Sequence, residues 1–184
     1  MYYATIKEND IANGTGIRTS LFVSGCTHRC KNCFNEIAWA FDYGDPFTPK
    51  IEAKIIASCN PSYVKGLTLL GGEPMEPQNQ RALLPFVQAF RAAHPDKTVW
   101  CFSGYTYEQL TGAEDSRGRC EVTDDFLAQL DVLVDGKFVQ ELYDITLRFR
   151  GSSNQRLIDL PQTRKTGEIV TWIDSELFNT HKMP

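Results

Sequence analysis

Three of the six cysteines of this 184-residue chain fall in one short run, Cys26-Thr27-His28-Arg29-Cys30-Lys31-Asn32-Cys33. Thiolates spaced by four and then three residues on one loop can wrap a metal centre, and the number of ligands bears on which metal. Structural zinc closes with four ligands, yet none of Cys59, Cys101 and Cys120 belongs to a second CxxC that would complete the set. His28 lies between two of the thiols, where binding the same ion would strain the loop. A four-iron cluster engaged only in electron transfer also takes four cysteines. With three, one iron is left for an outside ligand, and nearby donors can tune the cluster for reductive chemistry. Spacing alone leaves three readings open: zinc, a cluster with one free iron, or two ligands and a bystander.

Such a loop needs rigid elements behind it. Leu21-Phe22-Val23 stops at Ser24-Gly25, Leu67 to Leu70 at Gly71-Gly72, Val99 to Phe102 at Ser103-Gly104, and Val132 to Val134 at Asp135-Gly136. Each apolar run reads as a buried strand closed by a glycine. Between them, Thr48 caps a helix with Pro49 at its first position and Ile51, Ile55 and Ile56 on one face. A second helix runs from about Asn79 to Ala93 with Leu83, Leu84, Val87 and Phe90 inward, Pro85 kinking it or delaying its start. Thr123 caps a third, with Asp124 and Asp125 near the positive end of its dipole and Phe126, Leu127 and Leu130 turned inward. This alternation predicts an α/β fold with parallel strands and right-handed crossovers, in which function gathers at the carboxyl ends of the strands. Residues 144–150 alternate apolar and polar as a half-buried strand or an extended arm, Glu168 to Ile173 reads as a last strand, and the tail from Asp174 stays unassigned.

Length and composition narrow the class. A chain of 184 residues predicts one domain and disfavours a complete eight-fold β/α barrel, which takes about 250. With 19 basic against 23 acidic side chains and a net charge of −4, nucleic acid is an unexpected partner. No apolar run reaches the roughly 18 residues of a membrane span, and Met1 to Asp10 lacks a signal-peptide apolar region. The expectation is a cytoplasmic chain with reduced thiols rather than three disulfides.

The cysteine triplet, followed by a strand ending in Gly71-Gly72-Glu73-Pro74, resembles the motif pair of the radical S-adenosylmethionine superfamily. The resemblance implies that Cys26, Cys30 and Cys33 hold a [4Fe-4S] cluster whose fourth iron is chelated by the amino and carboxylate groups of S-adenosylmethionine. It also implies a partial, open (β/α)6-type barrel of mostly parallel strands, over a single domain 1–184. Gly71 and Gly72 would let the backbone approach the cofactor, and Glu73 would offset its ammonium. Many members carry an aromatic residue just before the last cysteine; here Asn32 stands there and Phe34 follows.

The resemblance extends further. Gly25 to Asn35, Trp39, Leu70 to Met75, Ser103 to Glu108, Asp131 to Phe138 and Arg150 to Arg156 are similar to the activating enzymes of anaerobic ribonucleotide reductase. The last two segments separate these from activators of the pyruvate formate-lyase type, which share the early motifs and form the alternative, beside a non-catalytic iron–sulfur or metal-binding scaffold. The family's chemistry implies a one-electron donor such as flavodoxin or ferredoxin, reductive cleavage to a 5'-deoxyadenosyl radical, and hydrogen abstraction from a glycine on the glycine-bearing subunit of the reductase. A chain too short to close a barrel would leave a side for that partner to seal.

The cofactor-binding set this implies is Asn32, Cys33, Phe34, Gly71, Gly72, Glu73, Pro74, Ser103, Asp135 and Lys137, with no catalytic side chain beyond the cluster and cofactor. Asp135 and Lys137, two apart, would turn to one face and meet the cofactor's carboxylate and ribose side; the alternative is an exposed ion pair. Ser103-Gly104 is either a contact to ribose or amino group or a plain turn. Arg18 neutralises a carboxylate or faces solvent, and His28 is a solvated or partner-facing loop residue. Cys59, Cys101 and Cys120 are non-ligands, Cys101 as a small core residue. Ser152 to Arg156 form a capped turn or a surface for docking the reductase. Trp39, Trp100 and Trp172 are packing residues.

Overall fold

The four glycine-ended apolar runs do form strands, and the computed structural model, which describes residues 1–173, sets them side by side. In chain order the elements are β1 (Tyr2–Asp10), β2 (Ile17–Val23), β3 (Asp45–Pro46), α1 (Pro49–Ser58), β4 (Val64–Gly71), α2 (Pro77–Ala93), β5 (Thr98–Phe102), α3 (Tyr107–Thr111), α4 (Thr123–Ala128), β6 (Val132–Asp135), β7 (Arg156–Asp159) and α5 (Leu160–Thr166). They build one open, mixed sheet in the order β3-β1-β2-β4-β5-β6-β7. Its centre, β2-β4-β5-β6, is parallel, while β1, β3 and β7 run antiparallel to their neighbours.

Side chains alternate between the two sheet faces, as strand geometry requires. Leu21, Val23, Leu67, Leu69, Val99, Cys101, Leu133 and Ile158 pack with Ile55 of α1, Leu83, Phe86, Val87 and Phe90 of α2, and Phe126 and Leu127 of α4. On the other face a smaller cluster joins Trp100, Val132, Val134 and Leu157 to Phe102, Phe149 and Trp172. Burial on both faces explains why the central strands read as continuous apolar runs. All four parallel strands deliver their carboxyl ends to the same edge.

Several local expectations change. Helix α2 starts at Pro77 rather than near Asn79, because proline's missing N–H costs nothing at the first position. Pro85 lies inside it on an exposed face, where water can satisfy the freed carbonyl. Thr123 is the first residue of α4 and not its cap; its hydroxyl donates to Gln80 Oε1 (2.7 Å) and accepts from Cys120 N (2.8 Å). Residues 144–150 are turns, with a single bridge at Tyr143–Ser152. The expected strand over Glu168 to Ile173 reduces to one bridge, Ile158–Thr171. The tail 174–184 lies outside the described residues.

Arg18 neither meets a carboxylate among the described residues nor faces solvent. It is fully buried on the inner face of β2 and fastens three strands. Nε donates to Thr68 Oγ1 (2.7 Å) on β4, Nη2 to Leu67 O (2.8 Å) and Thr98 O (2.9 Å), and Nη1 to Thr98 Oγ1 (3.0 Å). The Trp100 ring lies 5.4 Å away as a cation–π partner. Burial pulls this guanidinium down to about 10.

Candidate functional site

The loop after β2 is held open by backbone pairing on both sides. Gly25 N donates to Ala38 O (2.8 Å) and Cys26 N to Trp39 O (3.1 Å) in the 3₁₀ turn Glu36–Trp39, while Gly72 N and Glu73 N donate to Val23 O (2.7 Å) and Gly25 O (2.8 Å). A Cβ on Gly71 would come within 2.7 Å of the Phe22 backbone, and one on Gly72 within 2.7 Å of Gly25 O. The two glycines are therefore needed first to press the end of β4 onto the cysteine loop, a demand internal to the chain. Within the loop, Cys33 N closes on Cys30 O (3.2 Å) and Asn32 has φ 57°. Asparagine tolerates that left-handed conformation better than an aromatic residue.

All three thiols line one cavity of about 610 Å³, together with Asn32, Phe34, Gly71, Gly72, Glu73 and Ser103, and backed by Leu70, Phe102 and Phe149. That size suits a small-molecule cofactor site. Among the described residues no three Cys, His, Asp or Glu side chains are arranged as for one metal ion. A four-iron cube takes each thiolate on a different iron, so it asks only that the sulfurs face a common space. Burial, then the charge of Glu73, push the Cys26 thiol up to about 12; burial also raises Cys30, with Lys137 opposing. The thiols must therefore give up protons when they take a metal. One buried polar atom on a residue lining this cavity, Trp39 Nε1, has no hydrogen-bond partner among the described residues. A wall with an orphaned polar atom fits a site built for a further group.

Glu73 is 1% exposed. Its Oε1 accepts from Met75 N (2.8 Å) and Oε2 from Gly104 N (2.6 Å), so its carboxylate is fixed by two backbone amides. His28, expected as a solvated or partner-facing residue, places Nε2 3.0 Å from Glu73 Oε2 and packs its ring at a tilt against Tyr105, centroids 4.3 Å apart. The glycine at 104 makes that seat, since a Cβ there would lie 2.6 Å from the imidazole. Sequence reasoning missed Asn79, whose Nδ2 ties Ser24 O (3.0 Å) to Glu73 O (2.9 Å). Its signal was a polar residue at the start of the inward helix stripe. Trp39, read as packing, lines the cavity as well.

Other site residues are placed differently from expectation. Pro74 is buried behind the wall without lining it. Asp135 is buried at the end of β6, Gly136 turns the chain at φ 98°, and Lys137 beyond the turn is exposed. Both line a neighbouring cavity that shares His28, Gly104 and Gly136 with the first. The buried Asp135 carboxylate accepts from Tyr107 N (2.7 Å) and Arg156 Nε (3.0 Å), and Arg156 also forks onto Glu108 at 2.9 and 2.6 Å. Ser103 lines the cysteine cavity, its Oγ accepting from Tyr105 N (3.0 Å). Residues 152–155 form a turn leading into Arg156 at the start of β7, and several of their side chains bond within the chain while Ser153 is exposed. Ser152 Oγ accepts from Val139 N, Gln155 Nε2 donates to Gly136 O, and Asn154 Nδ2 donates to Lys137 O. Cys59 and Cys101 are fully buried in the core and Cys120 sits beside Gln80 and Thr123, away from the cavity.

The Arg156 fork carries a pH dependence. Its guanidinium holds the Glu108 carboxyl at about 2, below the ordinary 4.5. A depressed carboxyl stabilises the fold above its unfolded value and ceases to do so as pH falls through the folded one. The stability difference between the wild type and Glu108→Gln is thus expected at neutral pH and expected to shrink between about 4.5 and 2 in urea titrations. Glu108 is about one-third exposed, so the difference stays under about 1 kcal/mol.

A family model described as a 4Fe-4S single cluster domain matches residues 12–158. Proteins named anaerobic ribonucleoside-triphosphate reductase-activating protein are similar over most of their length. The one from Pasteurella multocida is 43% identical over 157 residues, 84% of this chain and 95% of that protein. Those from Vibrio cholerae and Escherichia coli are 43% and 45% identical, each covering 84% of this chain and 96% of their own.

Proposed function

This chain belongs to the family of anaerobic ribonucleoside-triphosphate reductase-activating proteins, and from that membership we propose that it is an iron–sulfur enzyme that generates the glycyl radical of the anaerobic ribonucleotide reductase. The observation that carries the reading is the cavity in which Cys26, Cys30 and Cys33 face the Gly71-Gly72-Glu73 wall. When bound, the cluster supplies the electron that cleaves S-adenosylmethionine to methionine and a 5'-deoxyadenosyl radical, which takes a hydrogen from a glycine of the reductase.

The chain's own residues bind, orient and exclude water. Cys26, Cys30 and Cys33 would hold three irons, leaving one for the cofactor's amino and carboxylate groups. Glu73, anchored by the amides of Met75 and Gly104, is a fixed anion for the ammonium, oriented before the ligand arrives. The Ser103 hydroxyl keeps its own proton to donate to ribose. Lys137 supplies positive charge toward the cofactor's carboxylate side, while Asp135 acts from behind by holding Arg156. Leu70, Phe102 and Phe149 make the back wall apolar, which protects a radical from quenching donors. Of the residues lining the cavity, Phe34 is 87% exposed and Tyr143 53%. These apolar side chains suit burial under the reductase segment that carries the glycine. The open sheet is read as the partial barrel of radical S-adenosylmethionine enzymes, and a flavodoxin or ferredoxin as the source of the electron.

Anaerobic loading with iron and sulfide, chemical reduction and addition of S-adenosylmethionine should release 5'-deoxyadenosine. A chain that holds its full complement of iron and releases none would contradict the assignment.

A further inference from the structure

We infer that Glu76 is a positioning residue for the cysteine loop, acting through Thr27, and that its fixed charge sets the potential of the cluster held there. The inference rests on the reading of Cys26, Cys30 and Cys33 as cluster ligands. Glu76 occupies the cap position of α2, yet its side chain caps nothing on its own helix. Its backbone oxygen serves Asn79 N and Gln80 N, and its carboxylate reaches across to the loop. There Oε1 accepts from Thr27 N (2.8 Å) and Thr27 Oγ1 (2.5 Å). The carbonyl of Thr27 accepts in turn from Arg117 Nη2 (2.9 Å), whose Nε donates to the Tyr105 hydroxyl (3.2 Å). All three polar groups of the residue directly after the first ligand are thus fixed by two distant segments.

Glu76 is 5% exposed, and a buried anion is tolerated only where donors satisfy it. Among the described residues its donors both come from Thr27, so the loop offsets part of the cost of burying the carboxylate. These bonds place the carboxylate's charge against the residue that directly follows the first ligand. Cluster potentials respond to net charge and to the groups around the ligands. A residue with this geometry has two separable effects, one from its hydrogen bonds and one from its charge.

The test uses the full chain loaded anaerobically with iron and sulfide. Thr27→Val removes one charge-assisted bond and is expected to lose its cluster to a chelator about tenfold faster than the wild type; Thr27→Ser restores the hydroxyl and retention to within about twofold. Glu76→Gln keeps an acceptor in place, so its iron content stays near wild type, but a redox titration followed by electron paramagnetic resonance should place its reduction potential higher, because a nearby negative charge is gone. A residue that served the fold alone would leave that potential unmoved. Equal chelation rates for Thr27→Val and wild type, failure of Thr27→Ser to rescue, or an unchanged potential in Glu76→Gln would each overturn the proposal while leaving the cluster assignment intact. A wild-type chain that assembles no four-iron cluster would overturn the cluster assignment, and this proposal with it.

Discussion

Replacing Cys26, Cys30 or Cys33 singly with serine is expected to strip the chain of its cluster. Changes around the ligands of a metal site cost roughly 10- to 100-fold in affinity, and loss of a ligand costs more. These three side chains share one cavity, and no other cysteine reaches it. Cys59 and Cys101 are sealed in the core, so Cys59→Ala and Cys101→Ala are expected to lower stability modestly while leaving iron content unchanged. Cys120→Ala should leave both nearly untouched. Iron and sulfide analysis of the six variants decides the matter. Loss of the cluster in any of the second three would mean a fourth cysteine ligand and would revive the scaffold reading, in which no iron is free for a cofactor.

The second large effect concerns the fold. Arg18→Ala is expected to destabilise the cluster-free protein by about 3–5 kcal/mol in urea unfolding, combining a large cavity with several lost charge-assisted bonds. Arg18 joins β2 to β4 and β5 through Thr68, Leu67 and Thr98, and its space is kept by glycines: a Cβ on Gly14 or Gly66 would stand 2.8 or 2.9 Å from the guanidinium arm. Arg18→Lys should not restore the loss, since a single ammonium cannot present the planar fork that reaches all of these acceptors. A loss below about 1 kcal/mol for the alanine variant would show that the sheet does not depend on this bolt.

What could be read from the residues was the part whose signals are local. The four buried strands announce themselves as apolar runs closed by glycine, and the cysteine spacing points to a metal loop before any coordinates. β1 was missed because it pairs on the outer flank of β2 with most of its side chains exposed, so it carries no apolar run. β7 is only four residues long and follows directly on a polar run, its two apolar residues flanked by Arg156, which turns toward Asp135 and Glu108, and Asp159. Asp135 and Lys137 line one cavity, though across a turn and not by strand alternation, since β6 ends at Asp135 and Gly136 bends the chain. His28 and Asn79 depend on contacts across 45 and 55 residues, with Glu73 and Ser24, which no window along the chain contains. Arg18 is the extreme case, because a cation just before an apolar run gives no hint that it belongs to the strand and that carbonyls and hydroxyls from two other strands wait to bury it.

The most direct measurement mixes the reduced, cluster-loaded chain and S-adenosylmethionine with the anaerobic ribonucleotide reductase and follows electron paramagnetic resonance. The expected result is a glycyl-radical doublet on the reductase, absent with Cys26→Ser and absent when a pyruvate formate-lyase type enzyme is the partner. Release of 5'-deoxyadenosine with no doublet on the reductase would contradict the account.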